Sequence, residues 1–109
     1  MNTSYPYAGT PSLQGPIDAA LRRVVDPEMA LTIVDVGLVV GVTVTADRVH
    51  VRVTMTSPAC PVVDVIVEDI ETELDTVVPA GMQIAVELVW EPPWSPDRMS
   101  ARAKAFMGW

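Results

Sequence analysis

This 109-residue chain holds a single cysteine, a single histidine and a single phenylalanine. One cysteine, Cys60, excludes an internal disulfide, and without Cys-x-x-Cys there is no dithiol cycle within the chain. The sole histidine, His50, is a poor base for that thiol. It precedes Thr56 along an extended strand, about 20 Å away at ~3.3 Å per residue, where a dyad needs contact at ~3 Å. No Gly-rich phosphate loop is present. Half of the residues are hydrophobic, yet no apolar run approaches the ~20 residues that span a bilayer. Positive charge is also scarce: 7 Lys and Arg against 14 Asp and Glu give a net charge of -7. A phosphate backbone or an anionic membrane surface is repelled by such a chain, which argues against nucleic-acid and membrane partners.

Residues 1–14 carry no Lys or Arg and no apolar stretch, so they do not read as a secretory signal. They read as a loose leader before one domain over 15–109. The cytoplasm is the expected compartment.

The hydrophobic pattern is α/β. Pro16 opens a short helix with Ile17, Leu21 and Val24 on one side, and Asp26-Pro27 ends it. A hairpin follows, with Leu38, Val40, Val42 and Val44 alternating in its first strand and Val49, Val51, Val53 and Met55 in its second. A turn at Ala46-Asp47 pairs Val44 with Val49, Val42 with Val51, Val40 with Val53 and Leu38 with Met55, so every apolar side chain shares one face. Residues 61–76 form the main helix, with a buried stripe of Val63, Ile66, Val67, Ile70 and Leu74. Ile84, Val86, Leu88 and Trp90 alternate in a third strand, with Trp90 expected in the core. Ser95-Pro96-Asp97 starts a last helix that carries Met99, Ala103 and Phe106 inward and stops at Gly108. The order is helix-strand-strand-helix-strand-helix: a two-layer α/β sandwich whose three-stranded sheet is covered on one face by helices.

Connectivity gathers the chemistry at one end. The second strand finishes where the main helix starts, and the third strand returns to that end, so Trp90, Glu91 and Trp94 arrive near Cys60. Asp35 and Gly37 precede the first strand at the same end, with Asp26, Pro27 and Glu28 before them. Cys60 lies at the cap of the main helix, facing free N–H groups and the positive end of the helix dipole, a setting that favours the thiolate. Asp35 and Glu91 oppose that effect. One cysteine does not hold a cluster alone, since iron–sulfur clusters take about four thiolates. Two subunits giving one Cys60 each, with small thiols, a carboxylate or a client protein in the other positions, would make an exchangeable site. Acids crowd the main helix; Glu68, Glu71 and Asp75 read either as a solvated face or as a docking surface for a basic partner.

Four motifs follow in order: Val25-Asp26-Pro27-Glu28; Ile33-Val34-Asp35-Val36-Gly37-Leu38-Val39; Met55-Thr56-Ser57-Pro58-Ala59-Cys60-Pro61; and Val89-Trp90-Glu91-Pro92-Pro93-Trp94-Ser95-Pro96-Asp97-Arg98-Met99-Ser100. From Ile17 to Gly108 the chain resembles the PaaD-like and SufT-like family of iron–sulfur cluster assembly domains, the metal–sulfur cluster biosynthetic proteins. The resemblance implies a sheet backed by helices and a role in maturing iron–sulfur proteins. It implies that Cys60 is the functional residue, and the family's Asp-Pro-Glu and Asp-x-Gly-Leu-Val motifs fall on Asp26, Glu28, Asp35 and Gly37. From their chemistry Cys60 reads as the cluster ligand, with Asp26, Glu28 and Asp35 as further metal candidates. Phenylacetate-pathway members add a cysteine-rich C-terminal segment, so the present chain fits a general assembly or carrier role better.

Three functions are consistent with the residues. The first is an assembly or transfer factor, not an enzyme, that acts on client proteins and assembly machinery through a transient iron–sulfur cluster at Cys60, with a homodimer as one form. The second is an adaptor without metal that docks through Glu68, Glu71, Asp75 and Trp94, the last a lid or interface residue. The third is a thiol enzyme with Asp35 or Glu91 as base.

Overall fold

The computed structural model describes residues 5–27, 29–56, 60–91 and 93–108, with 60 and 61 as backbone. Strands β4 (Val39–Val44) and β5 (Arg48–Val53) form the expected hairpin. Helix α3 (Cys60–Asp75) crosses one face and delivers β6 (Gln83–Leu88) parallel to β5, pairing Val49 with Ile84, Val51 with Val86 and Val53 with Leu88. The result is a mixed α/β fold with its helices packed on the sheet's apolar face.

Hairpin register follows the valines at Val44–Val49 and Val42–Val51, and the Thr45 N–H donates to the Arg48 carbonyl as the turn requires. Beyond Gly41 it departs from the alternation. Val39, not Val40, pairs with Val53, because the register shifts between Val39 and Gly41. This bulge turns Val39 into the core and leaves Val40 half-buried, and it sits beside a residue where the missing side chain matters. A Cβ on Gly41 would fall 2.5 Å from the Arg52 guanidinium, which lies across it.

Three corrections concern extent. The leader expected over 1–14 enters the fold from Tyr5. Tyr5 is buried, and β1 (Tyr7–Ala8) runs parallel to β4 as a fourth strand, giving the order β1-β4-β5-β6. Helix α1 (Pro11–Leu21) starts at Pro11, which has the fixed φ suited to a first turn, and keeps Pro16 inside it. Pro16 removes the bond that residue 16 would give to the Ser12 carbonyl, which is why the sequence reads as starting there. Its inner face, Ile17, Ala20 and Leu21, is fully buried. Past the helix, β2 (Val25–Asp26) and β3 (Leu31–Thr32) make a small antiparallel ladder around the Asp26-Pro27 turn, followed by the short helix α2 (Ile33–Val36).

The C-terminal helix starts later than Ser95 suggests. Pro96–Arg98 makes one 3-10 turn, and Met99 is extended at ψ 147. Helix α4 (Ala101–Met107) begins only after Ser100, whose Oγ accepts from the Ala103 N–H at 3.1 Å. Met99 and Ala103 are buried as expected, but Phe106 is 68% exposed, at the next-to-last position of a helix only seven residues long. Trp90 is also not core: it is 49% exposed. It lies beyond the last β5–β6 pair, on a strand that has a neighbour on one side only among the described residues.

Ile66, Ile70 and Leu74 of α3 are fully buried in the same core cluster as Val49, Val51 and Val53, with Val63 and Val67 flanking them half-buried.

Candidate functional site

One end of the sheet collects the motifs. Leu38 and Thr54 close the hairpin there, with the Thr54 N–H donating to the Leu38 carbonyl at 2.8 Å. Four residues beyond Thr56, α3 starts at Cys60 itself. The Cys60 backbone therefore belongs to the first turn of a 16-residue helix, among the N–H groups that have no partner within it. The surroundings of the thiol, and Glu28, lie outside the described residues.

Asp35 anchors this end. Thr32 caps α2, with the Asp35 N–H donating to Thr32 Oγ1 at 3.1 Å and that hydroxyl donating to Asp35 Oδ2 at 3.0 Å. Ser100 Oγ donates to Asp35 Oδ1 at 2.9 Å, and the Ser100 N–H to the Asp35 carbonyl at 2.8 Å. Both carboxylate oxygens thus accept from hydroxyls, one of them 65 residues away. Gly37, at φ 86, lets the next stretch dock: a Cβ there would overlap the Arg98 carbonyl. Arg98 Nε donates to the Gly37 carbonyl at 2.9 Å, and Trp94 Nε1 to the Val36 carbonyl at 2.8 Å. The second and fourth motifs are therefore the two halves of one clasp. Trp94 serves it as a half-buried pin.

Nothing in the sequence assigns Thr32, Arg98 or Ser100 a role of its own, although Arg98 and Ser100 fall in the fourth motif. The available signal was the spacing Thr32-x-x-Asp35, a capping pattern.

The other expected residues separate by location. Asp26 is 1% exposed, in the turn where the Met29 and Ala30 N–H groups donate to its carbonyl. Thr54 is fully buried, and its hydroxyl has no hydrogen-bond partner among the described residues. His50 sits mid-strand on the helix-free face, 2.9 Å from Glu87, away from Cys60 as its strand position requires. Glu68, Glu71 and Asp75 are exposed and form one stripe with Asp64 along α3, whereas Glu73 turns aside to Arg23 at 2.6 Å. Among the described residues no three His, Cys, Asp or Glu side chains converge as a metal site, and no helix is long and apolar enough to cross a membrane.

A small sheet backed by helices, with a cysteine opening the crossover helix and an aspartate clasp at the same end of the sheet, defines the class. The family model for iron–sulfur cluster assembly proteins matches residues 16–88. The chain is 39% identical over 98 residues to the Fe-S protein maturation auxiliary factor YitW of Bacillus subtilis, covering 89% of this chain and 95% of that one. It is 40% identical over 86 residues to the Fe-S protein maturation auxiliary factor SufT of Staphylococcus aureus, covering 78% and 97%. A crystal structure of a domain of unknown function, DUF59, from Bacillus anthracis superposes with a TM-score of 0.81 at 41% identity, covering 89% and 92%. The chain belongs to the iron–sulfur cluster assembly protein family.

Proposed function

We propose that this protein is a cytoplasmic maturation factor that receives an iron–sulfur cluster as cargo on Cys60 and releases it to client proteins. The observation that carries the reading is the position of Cys60 as the first residue of α3. N–H groups that have no partner within the helix, and the positive end of the helix dipole, favour a thiolate there, and the thiolate is the form that ligates iron. Binding releases the thiol proton to solvent, and transfer replaces the Cys60 thiolate by a client's thiolate on the same iron. A single thiolate suits this exchange, because a resident cluster takes about four.

Among the carboxylates, Glu28 is the one we carry forward as an auxiliary ligand. Asp26 is buried, and Asp35 already accepts two hydroxyls, which supports a positioning role for it. The exposed stripe of Glu68, Glu71 and Asp75 favours a second, compatible reading, in which α3 docks basic assembly partners or clients through charge.

Anaerobic reconstitution with iron, sulfide and a small thiol, followed by visible absorption, tests the main reading. A sulfide-to-iron charge-transfer band in the parent chain that is lost in Cys60→Ala is the expected result. No band in either protein refutes cargo binding and leaves the adaptor reading. A band that survives in Cys60→Ala refutes Cys60 as the ligand.

A further inference from the structure

The sheet treats its two edges differently. On the β4 side, β1 covers the edge at Val42 and Thr43 and the bulge at Val40 distorts the remainder. These are two of the devices by which proteins stop strands from pairing with a second molecule. The β6 side has neither. Among the described residues β6 pairs only with β5, and its six residues contain no proline, no bulge and no lysine.

Burial along β6 shows what is left undone. Val49, Val51 and Val53 of β5 are fully buried, but their neighbours Ile84, Val86 and Leu88 are only half-buried although they point into the same apolar face. Backbone direction agrees. The Gln83 N–H donates to Asp47 and the Val89 N–H to Val53, so the odd-numbered residues face β5. By alternation, Ile84, Val86 and Leu88 turn their N–H and C=O groups to the open edge.

We infer that this edge pairs antiparallel with β6 of a second copy, about a two-fold axis at Val86. Only an axis that passes through a residue keeps the apolar faces of both sheets on one side. Centring on Val86 sets Val86 against its own copy and Ile84 against Leu88 of the other chain. All three outward-facing residues are then hydrogen-bonded pairs. On the opposite face Glu87 meets Ala85, so the strand's only charge avoids its own copy. Two residues beyond the strand, the exposed Trp90 comes opposite Met82 of the second copy, a contact that a thioether and an indole favour. This dimer sends the two Cys60 ends in opposite directions, because β6 runs toward the Cys60 end in each chain. Each cysteine then acts singly, and no cargo bridges the two. The pairing does not depend on Cys60 or on any cluster, so its failure and the failure of the cargo reading are separable.

Sedimentation velocity of the full chain across the range from about 1 µM to about 1 mM tests the pairing. The expected result is a monomer–dimer equilibrium. Ala85 lies on the helix-free face, outside the core, and faces Glu87 of the other copy twice in the dimer. Ala85→Glu is therefore expected to raise the dimer Kd by about 3–30-fold, and Ala85→Lys to lower it by a similar factor. Val86→Pro, which removes an outward N–H without touching a bond to β5, is expected to abolish the dimer, with circular dichroism reporting whether the fold is kept. A chain that is monomeric throughout overturns the proposal. So does a dimer indifferent to the charge at residue 85. An edge that stays unpaired with itself yet takes up extended peptides overturns it in favour of strand addition by another protein.

Discussion

Two buried aspartates, Asp18 and Asp35, each tie a terminal segment to the fold, and they do so with different chemistry. Asp18 is matched by charge: Arg22 Nε lies 2.8 Å from Oδ2 one helical turn away, and the Tyr5 hydroxyl donates to Oδ1 at 2.7 Å. Burial, and then the bond to Asp18, push the Tyr5 phenol well above its ordinary range, and Asp18 raises Arg22 in turn. Among the described residues, the side-chain hydrogen bonds that the Asp35 carboxylate accepts come from neutral hydroxyls, those of Thr32 and Ser100, and Arg22 acts on it only as a more distant charge. The Asp18 knot is a staple that holds the N-terminal strand on a sheet edge. The Asp35 knot fastens the C-terminal stretch to the loop at the Cys60 end, and its geometry has no room to adjust. Ion pairing tolerates displacement, whereas a clasp made of directed hydrogen bonds and close backbone contact does not.

Breaking the Asp35 side at its tightest point carries the largest expected effect. Gly37→Ala combines a positive φ with overlap on the Arg98 carbonyl. It is expected to cost about 3 kcal/mol, read as a fall in the urea midpoint. Asp35→Ala comes next. It leaves the Thr32 and Ser100 hydroxyls without their acceptor and is expected to cost about 2 kcal/mol. Amide exchange should then speed up selectively over 96–107, with α1 unaffected. An even loss of protection across the molecule would show that the clasp is not a local device.

Tyr5→Phe is the mildest, at about 1 kcal/mol near neutral pH, and it sharpens the contrast through pH. A phenol whose folded pKa is raised stabilises the fold fully below its unfolded value of about 10, and loses that contribution as pH rises from there toward the folded value. The parent chain is therefore expected to lose stability between about pH 10 and about pH 12, while Tyr5→Phe stays flatter and the two converge. Urea titrations across that range decide it, and parallel curves would remove Tyr5 from the account. The Asp35 variant should keep the parent's alkaline slope.

Much of this was legible in the residues. The alternating valines gave the hairpin register from Val42 to Val51, because a one-residue slip exposes a whole face. The apolar stripe of α3 and the parallel return of β6 followed from period and connectivity, and they carry Cys60 to the end of the sheet where Asp35 and Trp94 also lie. Local pattern misled where a short-range signal competed with a distant partner. Ser95-Pro96 reads as a helix start, yet Ser100 caps α4, since Asp35 receives the hydroxyl and N–H of Ser100 and fixes the start there. Trp90 reads as the next core residue of an alternating strand, but it passes the last pair of an edge strand.

The sequence by itself determined the α/β class, the helix that Cys60 opens and the acidic stripe, since each rests on periods of two or 3.6 residues or on a cap within one segment. Only the tertiary structure decided the fourth strand at Tyr7–Ala8, the roles of Arg98 and Ser100, and the unequal edges of the sheet. Two residues are too few to show an alternation, and a bond between residues 35 and 100 leaves no periodicity to read. Those features exist because the folded chain brings distant backbone groups within hydrogen-bond reach, where buried ones must find partners.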